Sequence, residues 1–420
     1  MATQRLNQIT AHLTTAPTSA VSQSAKIGQK SPNDVVIVCA LRSPIARAKK
    51  GGFKDTLPEE ILAQVLKAII EKTKLDPKLV QDVSVGNVLT PGGAATVSRQ
   101  AVLYAGFPDT TSVSTINRQC SSGLQAVVNI ANSISTGQID IGIGAGMESM
   151  TKYYGPTAMQ AEYSDELTSF EPAADCLIPM GETSENVAAE FKISREKQDA
   201  FAALSQQRAF AAQEKGLFDE EIVPIKTKVV DAEGNEKEIV VSKDEGVRKG
   251  VTAEKLAKLP AAFGDGGSTT AGNASQVSDG AAAVLLMRRS VAEKLNMPIL
   301  GKFVTAAVVG VPPRVMGIGP AFALPIACEK AGIKPSDLDI VELNEAFASQ
   351  AVYTIEKVGL SLDKVNPKGG AIALGHPLGC TGARQISTLF TELKRTGKRL
   401  GANTMCIGTG MGMAAIFERE

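Results

Sequence analysis

Two cysteines and one histidine stand in settings where a thiol and an imidazole could react. Cys120 lies directly before an apolar run with helical spacing, His376 lies in a glycine-bounded turn, and Cys406 precedes a glycine-rich turn. A thiolate is a strong nucleophile, and an imidazole is a suitable base near neutral pH. These residue types therefore indicate nucleophilic catalysis, provided that the fold brings them together.

The residues around Cys120 predict the N-terminus of a helix. Ser121 and Ser122 are good cap residues, and Gly137 is a plausible helix stop. Unpaired N–H groups and the positive end of the helix dipole at that position favour a thiolate over a thiol. Gly123, which has no side chain, would let another segment approach closely. A small buried cysteine at a helix start is an equally good explanation of this stretch alone.

The second half of the chain supplies further polar groups. Only two histidines are present, His12 and His376, so few groups could act as a base near neutral pH. Asn344 follows a predicted strand, at the sheet edge where α/β proteins bind ligands. The glycines after Cys406, beginning with Gly408, have sterically open N–H groups that can stabilise an oxyanion. A structural histidine would more often lie among apolar neighbours on a regular element.

Length and composition indicate a globular protein of two or three domains. The chain has 420 residues, of which 44% are hydrophobic and 21% charged. Lys plus Arg and Asp plus Glu are equal at 44 each, which argues against nucleic-acid binding and against a polybasic membrane protein. No apolar run is long enough to span a bilayer. The six cysteines are scattered, which predicts neither zinc nor disulfides and favours a reducing compartment.

Residues 1–32 are polar and are predicted to be a leader outside the folded core. Within them, Arg5-Leu6 and His12-Leu13 are separated by five residues. This pattern resembles the N-terminal peroxisomal targeting signal, so we expect recognition by a peroxisomal import receptor and delivery to the matrix. A frayed terminus that matches the pattern by chance is the alternative.

The folded body alternates strands with helices, which predicts a layered α/β domain. We predict an N-terminal half at 33–150 that is completed by 263–293, and a C-terminal half at 294–420. Between them, 151–262 is richer in acidic residues, turns and prolines, which indicates an inserted region. Predicted strands lie at 35–40, 83–88, 139–146 and 278–287, and predicted helices at 58–73 and 194–215.

The C-terminal half repeats the order of motifs in the N-terminal half. Asn87 and Asn344 end corresponding strands, Cys120 and Cys380 open helices of equal length, and each copy then reaches a glycine-rich turn that ends in methionine. Matching order at a nearly constant offset predicts two homologous α/β halves packed against each other. A site between such halves would draw residues from both.

Together these motifs resemble those of the thiolase family, and most closely its peroxisomal members that act on 3-ketoacyl-CoA. The motifs are the Cys120 segment, Asn344–Phe347, the Gly-His-Pro turn at 375–377 and the Cys406 turn, and the resemblance runs from Asp34 to the end. It implies a duplicated five-layered α-β-α-β-α fold with an inserted loop domain, and a homodimer. It also implies coenzyme A and acyl-CoA thioesters as partners, with coenzyme A as a substrate and neither a cofactor nor a metal.

The resemblance implies an activity in fatty-acid β-oxidation: CoA-dependent cleavage of a 3-ketoacyl-CoA into acetyl-CoA and a shortened acyl-CoA. Cys120 would be the nucleophile, His376 the base and Cys406 the proton donor. His376 with a water on Asn344 would stabilise the enolate, and the N–H groups of Cys120 and Gly408 the tetrahedral intermediate. Contacts with CoA and the acyl chain are implied for five residues: Ser275, Arg248, Met180, Phe263 and Phe347.

Two departures from the family pattern and four alternatives remain. Thr409 stands where many thiolases have glycine, and Pro179 stands where acetoacetyl-specific members tend to have histidine. The alternatives are an acetoacetyl-CoA thiolase, a decarboxylating ketoacyl synthase, a cysteine hydrolase and a non-catalytic CoA-binding scaffold. Each of them predicts a different response to 3-ketoacyl-CoA and CoA.

Overall fold

The computed structural model describes residues 25–155 and 162–420. The targeting residues Arg5, Leu6, His12 and Leu13 lie outside the described residues, so the import signal stays a prediction. In the part of the chain that is described, no helix combines the length and the apolar character that crossing a membrane requires.

The elements follow the predicted alternation of strands and helices. The strands are β1 Val35–Arg42, β2 Ala46–Arg47, β3 Asp82–Gly86, β4 Ser112–Ile116, β5 Ile141–Ser149, β6 Ile225–Val230, β7 Glu236–Val241, β8 Ser278–Arg288, β9 Gly301–Gly310, β10 Ile340–Leu343, β11 Leu400–Ile407 and β12 Met411–Arg419. The longer helices are α1 Pro58–Thr73, α2 Ala95–Tyr104, α3 Ser122–Ser135, α7 Met180–Glu190, α8 Arg195–Glu214, α11 Gly319–Lys330, α12 Ala348–Val358 and α14 Leu378–Thr396.

Short helical turns join these elements. The short α-helices are α4 Met150–Tyr153, α5 Asp165–Thr168, α6 Glu171–Ala174, α9 Ala253–Leu256, α10 Arg289–Lys294 and α13 Ala371–Leu374. The 3-10 turns are Pro77–Leu79, Pro91–Ala94, Asp175–Leu177, Pro313–Ile318, Pro335–Asp337 and Leu362–Lys364.

The strands of the two halves run through one sheet in mirrored order. Hydrogen-bonded neighbours give β10-β11-β12-β9-β1-β8-β5-β3-β4, with β2 beside β8 and a separate β6-β7 hairpin. The order β9-β12-β11-β10 therefore matches β1-β8-β5-β3, as the predicted duplication requires. Within the sheet, the two halves join where β1 pairs with β9, Val36 with Lys302 and Ile37 with Gly301.

Alternating side chains divide the apolar core into three parts. Along β8 and β12, successive residues point to opposite faces of the sheet. One face of β8 packs under α1 and α2, and one face of β12 packs under α11 and α12. The other faces of both strands share a central core with α3 and α14. The result is five layers, with α3 and α14 in the middle layer.

Residues 25–32 do not extend away from the body as the predicted leader boundary implies. The Gly28 N–H donates to Glu418 Oε1 at 2.8 Å, and the Lys302 ammonium donates to the Lys26 and Gln29 carbonyls. Asp34 pairs with Arg289 at 3.0 Å. Lys26, Gly28 and Gln29, which the sequence assigns to the leader, thus contact the body through backbone groups that sequence composition does not reveal.

Candidate active site

Cys120 sits directly before α3, as predicted, but the neighbouring serines do not cap the helix in the expected way. Ser121 Oγ donates to the Arg118 carbonyl at 3.0 Å, and Ser122 Oγ donates to the Gln119 carbonyl at 2.6 Å. Ser122 Oγ also accepts from the Arg118 N–H at 2.9 Å. Gln119 has a left-handed backbone with φ of 46°. These bonds hold a tight turn that presents Cys120 at the helix start.

The predicted thiolate at Cys120 is not favoured in the free protein. Burial raises the pKa of the Cys120 thiol to about 11, although the backbone N–H groups of Gly408 and Cys120 lower it. The negative charge of Glu148 raises it further. Desolvation of the charged form outweighs the helix terminus, so Cys120 is a thiol near neutral pH and needs a base to become a nucleophile.

His376 is held in one tautomer by its neighbours. Thr381 Oγ1 donates to the Pro377 carbonyl at 3.0 Å and lies 2.6 Å from His376 Nδ1. Because the hydroxyl proton is already used, Nδ1 must carry a proton and donate it to Thr381. The lone pair of Nε2 then faces Asn344 Nδ2, 3.2 Å away. Nε2 is therefore the basic nitrogen.

The pKa of His376 lies below the ordinary imidazole value of about 6.5 on which the sequence-based expectation of a base near neutral pH rests. Burial, with a contribution from the positive charge of Arg384, lowers the pKa of His376 to about 3. The imidazole is consequently neutral at physiological pH and able to accept a proton. The His376 imidazole and the Cys120 thiol are therefore both neutral at rest.

Cys406 lies deeper than Cys120. Its side chain is fully buried and packs with Met316 and Ala346, whereas Cys120 retains 9% exposure. Burial raises the pKa of Cys406, and the charge of a Cys120 thiolate raises it further. Cys406 is therefore a protonated thiol at neutral pH and is less accessible than Cys120.

The turn after Cys406 brings Gly408 to the site. Its N–H lowers the pKa of Cys120, and its Cα is flanked by Gln119 and by Met180 Sδ. Thr409, which departs from the family pattern, has φ of 68°. A β-branched residue is rarely found in this left-handed region, so the turn stores strain next to a candidate oxyanion donor.

Four of the five residues predicted to contact CoA or the acyl chain surround this turn. Met180 reaches Gly408, and the Phe263 ring lies over Gly181, the residue after Met180. The N–H of Ser275 donates to the Ala346 carbonyl at 2.9 Å, and Phe347 packs on the cluster that contains Cys406. Met180 therefore contacts the Gly408 turn and Phe347 packs on the Cys406 cluster, whereas Phe263 and Ser275 contact residues next to those two.

Arg248 lies at the surface, several contacts away from His376. Its side chain is exposed, and its N–H donates to Gln206 Oε1 at 2.9 Å. Gln276 Nε2 donates to the Gly246 carbonyl at 3.0 Å, while the Gln276 carbonyl accepts from the His376 N–H at 3.1 Å. Arg248 is linked to His376 indirectly, through Gln206 and Gln276, which both donate to the Ile372 carbonyl, at 3.3 and 3.1 Å.

Comparison with known proteins identifies the family to which the chain belongs. Residues 35–290 match the thiolase N-terminal domain, and residues 297–419 match the thiolase C-terminal domain. The chain belongs to the thiolase family. This thiolase is 57% identical to "3-ketoacyl-CoA thiolase A, peroxisomal" of Rattus norvegicus over 99% of its own length and 97% of the relative's. It is 57% identical to "3-ketoacyl-CoA thiolase, peroxisomal" of Homo sapiens over 93% and 92% of the two chains.

Solved structures agree with the layered fold of this thiolase. The dimeric peroxisomal thiolase of Saccharomyces cerevisiae superposes with a TM-score of 0.87 at 52% identity and covers 94% of this chain and 99% of its own. A second structure of the peroxisomal 3-ketoacyl-CoA thiolase from that yeast, described as a five-layered α-β-α-β-α structure built from two core domains of identical topology, gives 0.77 at 46% identity, covering 94% and 100%. The predicted fold class is confirmed.

Thr381 and Glu345 are site residues of this thiolase that sequence reasoning missed. Glu345 is fully buried and accepts from Ser205 Oγ at 2.6 Å, Asn366 Nδ2 at 2.7 Å and the Ile372 N–H at 3.1 Å. It ties the Asn344 loop to the segment before His376. A usable signal for Thr381 was its spacing of one helical turn after Pro377, whereas nothing in the sequence pointed to the partners of Glu345.

Proposed function

We propose that this protein is an acetyl-CoA C-acyltransferase, a 3-ketoacyl-CoA thiolase of the peroxisomal matrix that acts in fatty-acid β-oxidation. The observation that carries the proposal is that the Gly408 N–H, two residues after Cys406, bonds to Cys120, while the start of α14, which follows His376, abuts the start of α3, which follows Cys120. Relatives named peroxisomal 3-ketoacyl-CoA thiolases match nearly the whole chain, which supports the same substrate class and location.

In the proposed first half-reaction, His376 Nε2 takes the proton of the Cys120 thiol. The resulting thiolate attacks the 3-keto carbon of the substrate and forms a tetrahedral oxyanion, which the N–H groups of Cys120 and Gly408 stabilise. The bond between C2 and C3 then breaks. The acyl group remains on Cys120 as a thioester, and the electron pair leaves with the enolate of acetyl-CoA.

The enolate needs a hydrogen-bond donor at oxygen and a proton at carbon. His376, protonated by the first step, and a water held by Asn344 would stabilise the enolate oxygen; Asn344 Oδ1 is fully buried and has no hydrogen-bond partner among the described residues. The Cys406 thiol delivers the carbon proton and becomes a thiolate. A second CoA thiol then gives its proton to the Cys406 thiolate and attacks the acyl-Cys120 thioester. The shortened acyl-CoA leaves, and the released Cys120 thiolate takes back the proton held by His376.

Several partners belong to the same proposal. CoA and acyl-CoA would lie along Ser275, Met180, Phe263 and Phe347, with Arg248 at the phosphate end because a guanidinium suits phosphate. Coenzyme A enters as a substrate, and no cofactor is required. The dimer of the yeast relative supports a homodimer, and the Arg5 to Leu13 pattern supports an import receptor as partner.

A thiolysis assay tests the proposed function. Purified protein is mixed with CoA and 3-ketoacyl-CoA of short, medium and long chains, and loss of the ketoacyl absorbance is followed. Turnover of medium or long chains supports the proposal, with Cys120→Ala as the inactive control. Activity confined to acetoacetyl-CoA would favour the acetyltransferase alternative, and activity only with malonyl thioesters would favour the decarboxylating enzyme. Absence of any turnover would contradict the proposal.

A further inference from the structure

Glu148 is a fully buried carboxylate that the proposed reaction does not use. It lies near the end of β5, and four donors converge on it. Oε2 accepts from the N–H groups of Val88 and Gly379, each at 3.0 Å. Oε1 accepts from the Leu89 N–H and from Asn87 Nδ2, each at 3.2 Å. A carboxylate with this many directed donors is held in one geometry.

The donors come from both halves of the molecule. Asn87, Val88 and Leu89 follow β3 in the N-terminal half, whereas Gly379 belongs to the first turn of α14, three residues after His376. Glu148 therefore joins the catalytic helix start of the C-terminal half to a strand end of the N-terminal half.

The peptide of Gly379 is held on its other side by the Cys120 helix. A Cβ placed on Gly123 would lie 2.6 Å from the Gly379 carbonyl oxygen, so α3 and α14 touch backbone to backbone at this point. The N–H of Gly379 is bound by Glu148, and its carbonyl abuts α3. Movement of Glu148 would consequently shift the start of α14 relative to the start of α3.

The internal duplication relates the surroundings of Glu148 to those of His376. Asn87 occupies the strand end that corresponds to Asn344, and Cys380 opens the helix that corresponds to the Cys120 helix. Asn344 Nδ2 contacts His376, whereas Asn87 Nδ2 contacts Glu148. The position in the N-terminal half that corresponds to the His376 site in the C-terminal half is thus occupied by the Glu148 carboxylate.

We propose that Glu148 is a positioning residue that fixes the start of α14 against the start of α3 and thereby sets the separation between His376 and Cys120. It touches none of the reacting atoms. This inference rests on the proposed function for its effect on turnover, but the relation between His376 and Cys120 can be measured without turnover.

The test combines kinetics with chemical modification of Cys120. Glu148→Gln places an NH2 group where two backbone N–H groups need an acceptor, so part of the clamp is lost. We expect kcat for thiolysis to fall by about tenfold or more while KM for CoA changes less than about twofold. Alkylation of Cys120 by iodoacetamide at pH 7.5, measured by peptide mass spectrometry, should slow by about fivefold because His376 is displaced from its role as base.

The matched control is Asp339→Asn, since Asp339 Oδ2 also accepts two backbone N–H groups, those of Arg399 and Leu400 at 3.0 and 2.8 Å, at the far end of β11. It should change neither quantity. If Glu148 acted through its charge alone, Glu148→Gln would lower the pKa of Cys120 and speed its alkylation, which would overturn the proposal. Unchanged kcat in a variant with wild-type melting temperature would overturn it as well.

Glu148→Asp keeps the inference testable if Glu148→Gln does not fold. It preserves the charge but shortens the side chain by one methylene, so the contact with Gly379 is strained, and both kcat and alkylation should fall. Wild-type values of both in Glu148→Asp would contradict the proposal. If the wild-type protein lacks thiolysis, the proposed function fails, while the alkylation comparison still decides the role of Glu148.

Discussion

At the scale of single residues, the site works with groups that are neutral at rest. Burial lowers the pKa of His376 to about 3 and raises the pKa of Cys120 to about 11. Neither group is charged before substrate arrives, so no ion has to be desolvated in the free protein. Thr381 and Asn344 instead fix the direction in which the proton can move.

Substitution of Cys406 tests whether Cys120 acts as the nucleophile and Cys406 as the proton donor. Cys406→Ser should keep exchange of acyl groups between Cys120 and CoA, because that step uses Cys120 and His376. It should lose exchange of the acetyl α-protons with solvent by about two orders of magnitude or more, because a hydroxyl is a far weaker acid than a thiol. Deuterium uptake into acetyl-CoA measures the loss; uptake at the wild-type rate would remove Cys406 from this role.

The raised pKa of Cys120 predicts a distinctive pH dependence. A raised thiol pKa means that the thiolate fraction still grows with pH until about 11. Alkylation of Cys120 should therefore continue to accelerate between about pH 9 and pH 10, where a free cysteine with a pKa of about 8.5 has nearly levelled off. Peptide-resolved rates with free cysteine as reference measure this. A plateau below about pH 8 would mean that the helix terminus outweighs burial.

At the scale of elements, glycines set how closely the two central helices approach. Gly123 of α3 lies against the Gly379 carbonyl and the Ala383 nitrogen of α14, and Gly146 of β5 meets the same Gly379. A side chain at any of these positions would separate elements that carry Cys120 and His376. The helix contact therefore determines the geometry of the site as well as the packing of the core.

Substitution at this contact should be costly. Gly123→Ala would place a Cβ 2.6 Å from a backbone oxygen, and overpacking of this kind destabilises by about 1–3 kcal/mol or more. Gly310→Ala is the matched control, because a Cβ there meets nothing within 4 Å and the backbone is not left-handed. Chemical denaturation compares the two variants. Equal free energies of unfolding would show that the helices can move apart without penalty.

The helices, the strands and their duplication could largely be predicted from the sequence. Apolar periodicity located α1 and α3, and repeated motifs predicted two equivalent halves, because both signals are local or depend on order alone. The sequence favours a thiolate at Cys120 and an ordinary pKa for His376, whereas burial keeps both groups neutral, and the contacts of Thr381 and Glu345 are not visible in the sequence. Each depends on burial or on partners distant in sequence, which residue types and spacing do not reveal.

At the scale of the whole molecule, a buried ionic network joins the inserted region to both halves. Arg42 pairs with Glu221 and Asp244, each at 2.7 Å, and Lys368 pairs with Glu221 at 2.8 Å. Burial alone would raise the pKa of Glu221, but the charges of Lys368 and Arg42 lower it to about 2. Phe218 packs against both cations. The network fixes how the three regions sit on one another.

Breaking this network should destabilise the entire fold. Arg42→Met leaves Asp244 buried without its cation and leaves Glu221 with Lys368 alone, and should cost about 3–5 kcal/mol. Lys197→Met, which removes an exposed pair with Glu356, should cost no more than about 1 kcal/mol. Because the pKa of Glu221 is lowered on folding, its stabilisation is present above the ordinary carboxyl pKa and is lost as pH falls toward about 2. Urea unfolding at neutral and acid pH measures both effects; a small loss for Arg42→Met would contradict the assignment.

The segment Lys26–Gln29 determines which proteolytic cleavage sites near the N-terminus would leave the folded body intact. Its carbonyls receive the ammonium of Lys302, a side chain that is 1% exposed, and Gly28 binds Glu418. Cleavage before Lys26 would leave every one of these bonds intact. Cleavage after Lys30 would strip a buried cation of its carbonyl acceptors and weaken the join between β9 and β12, so a mature enzyme begun there should be less heat-resistant than its precursor.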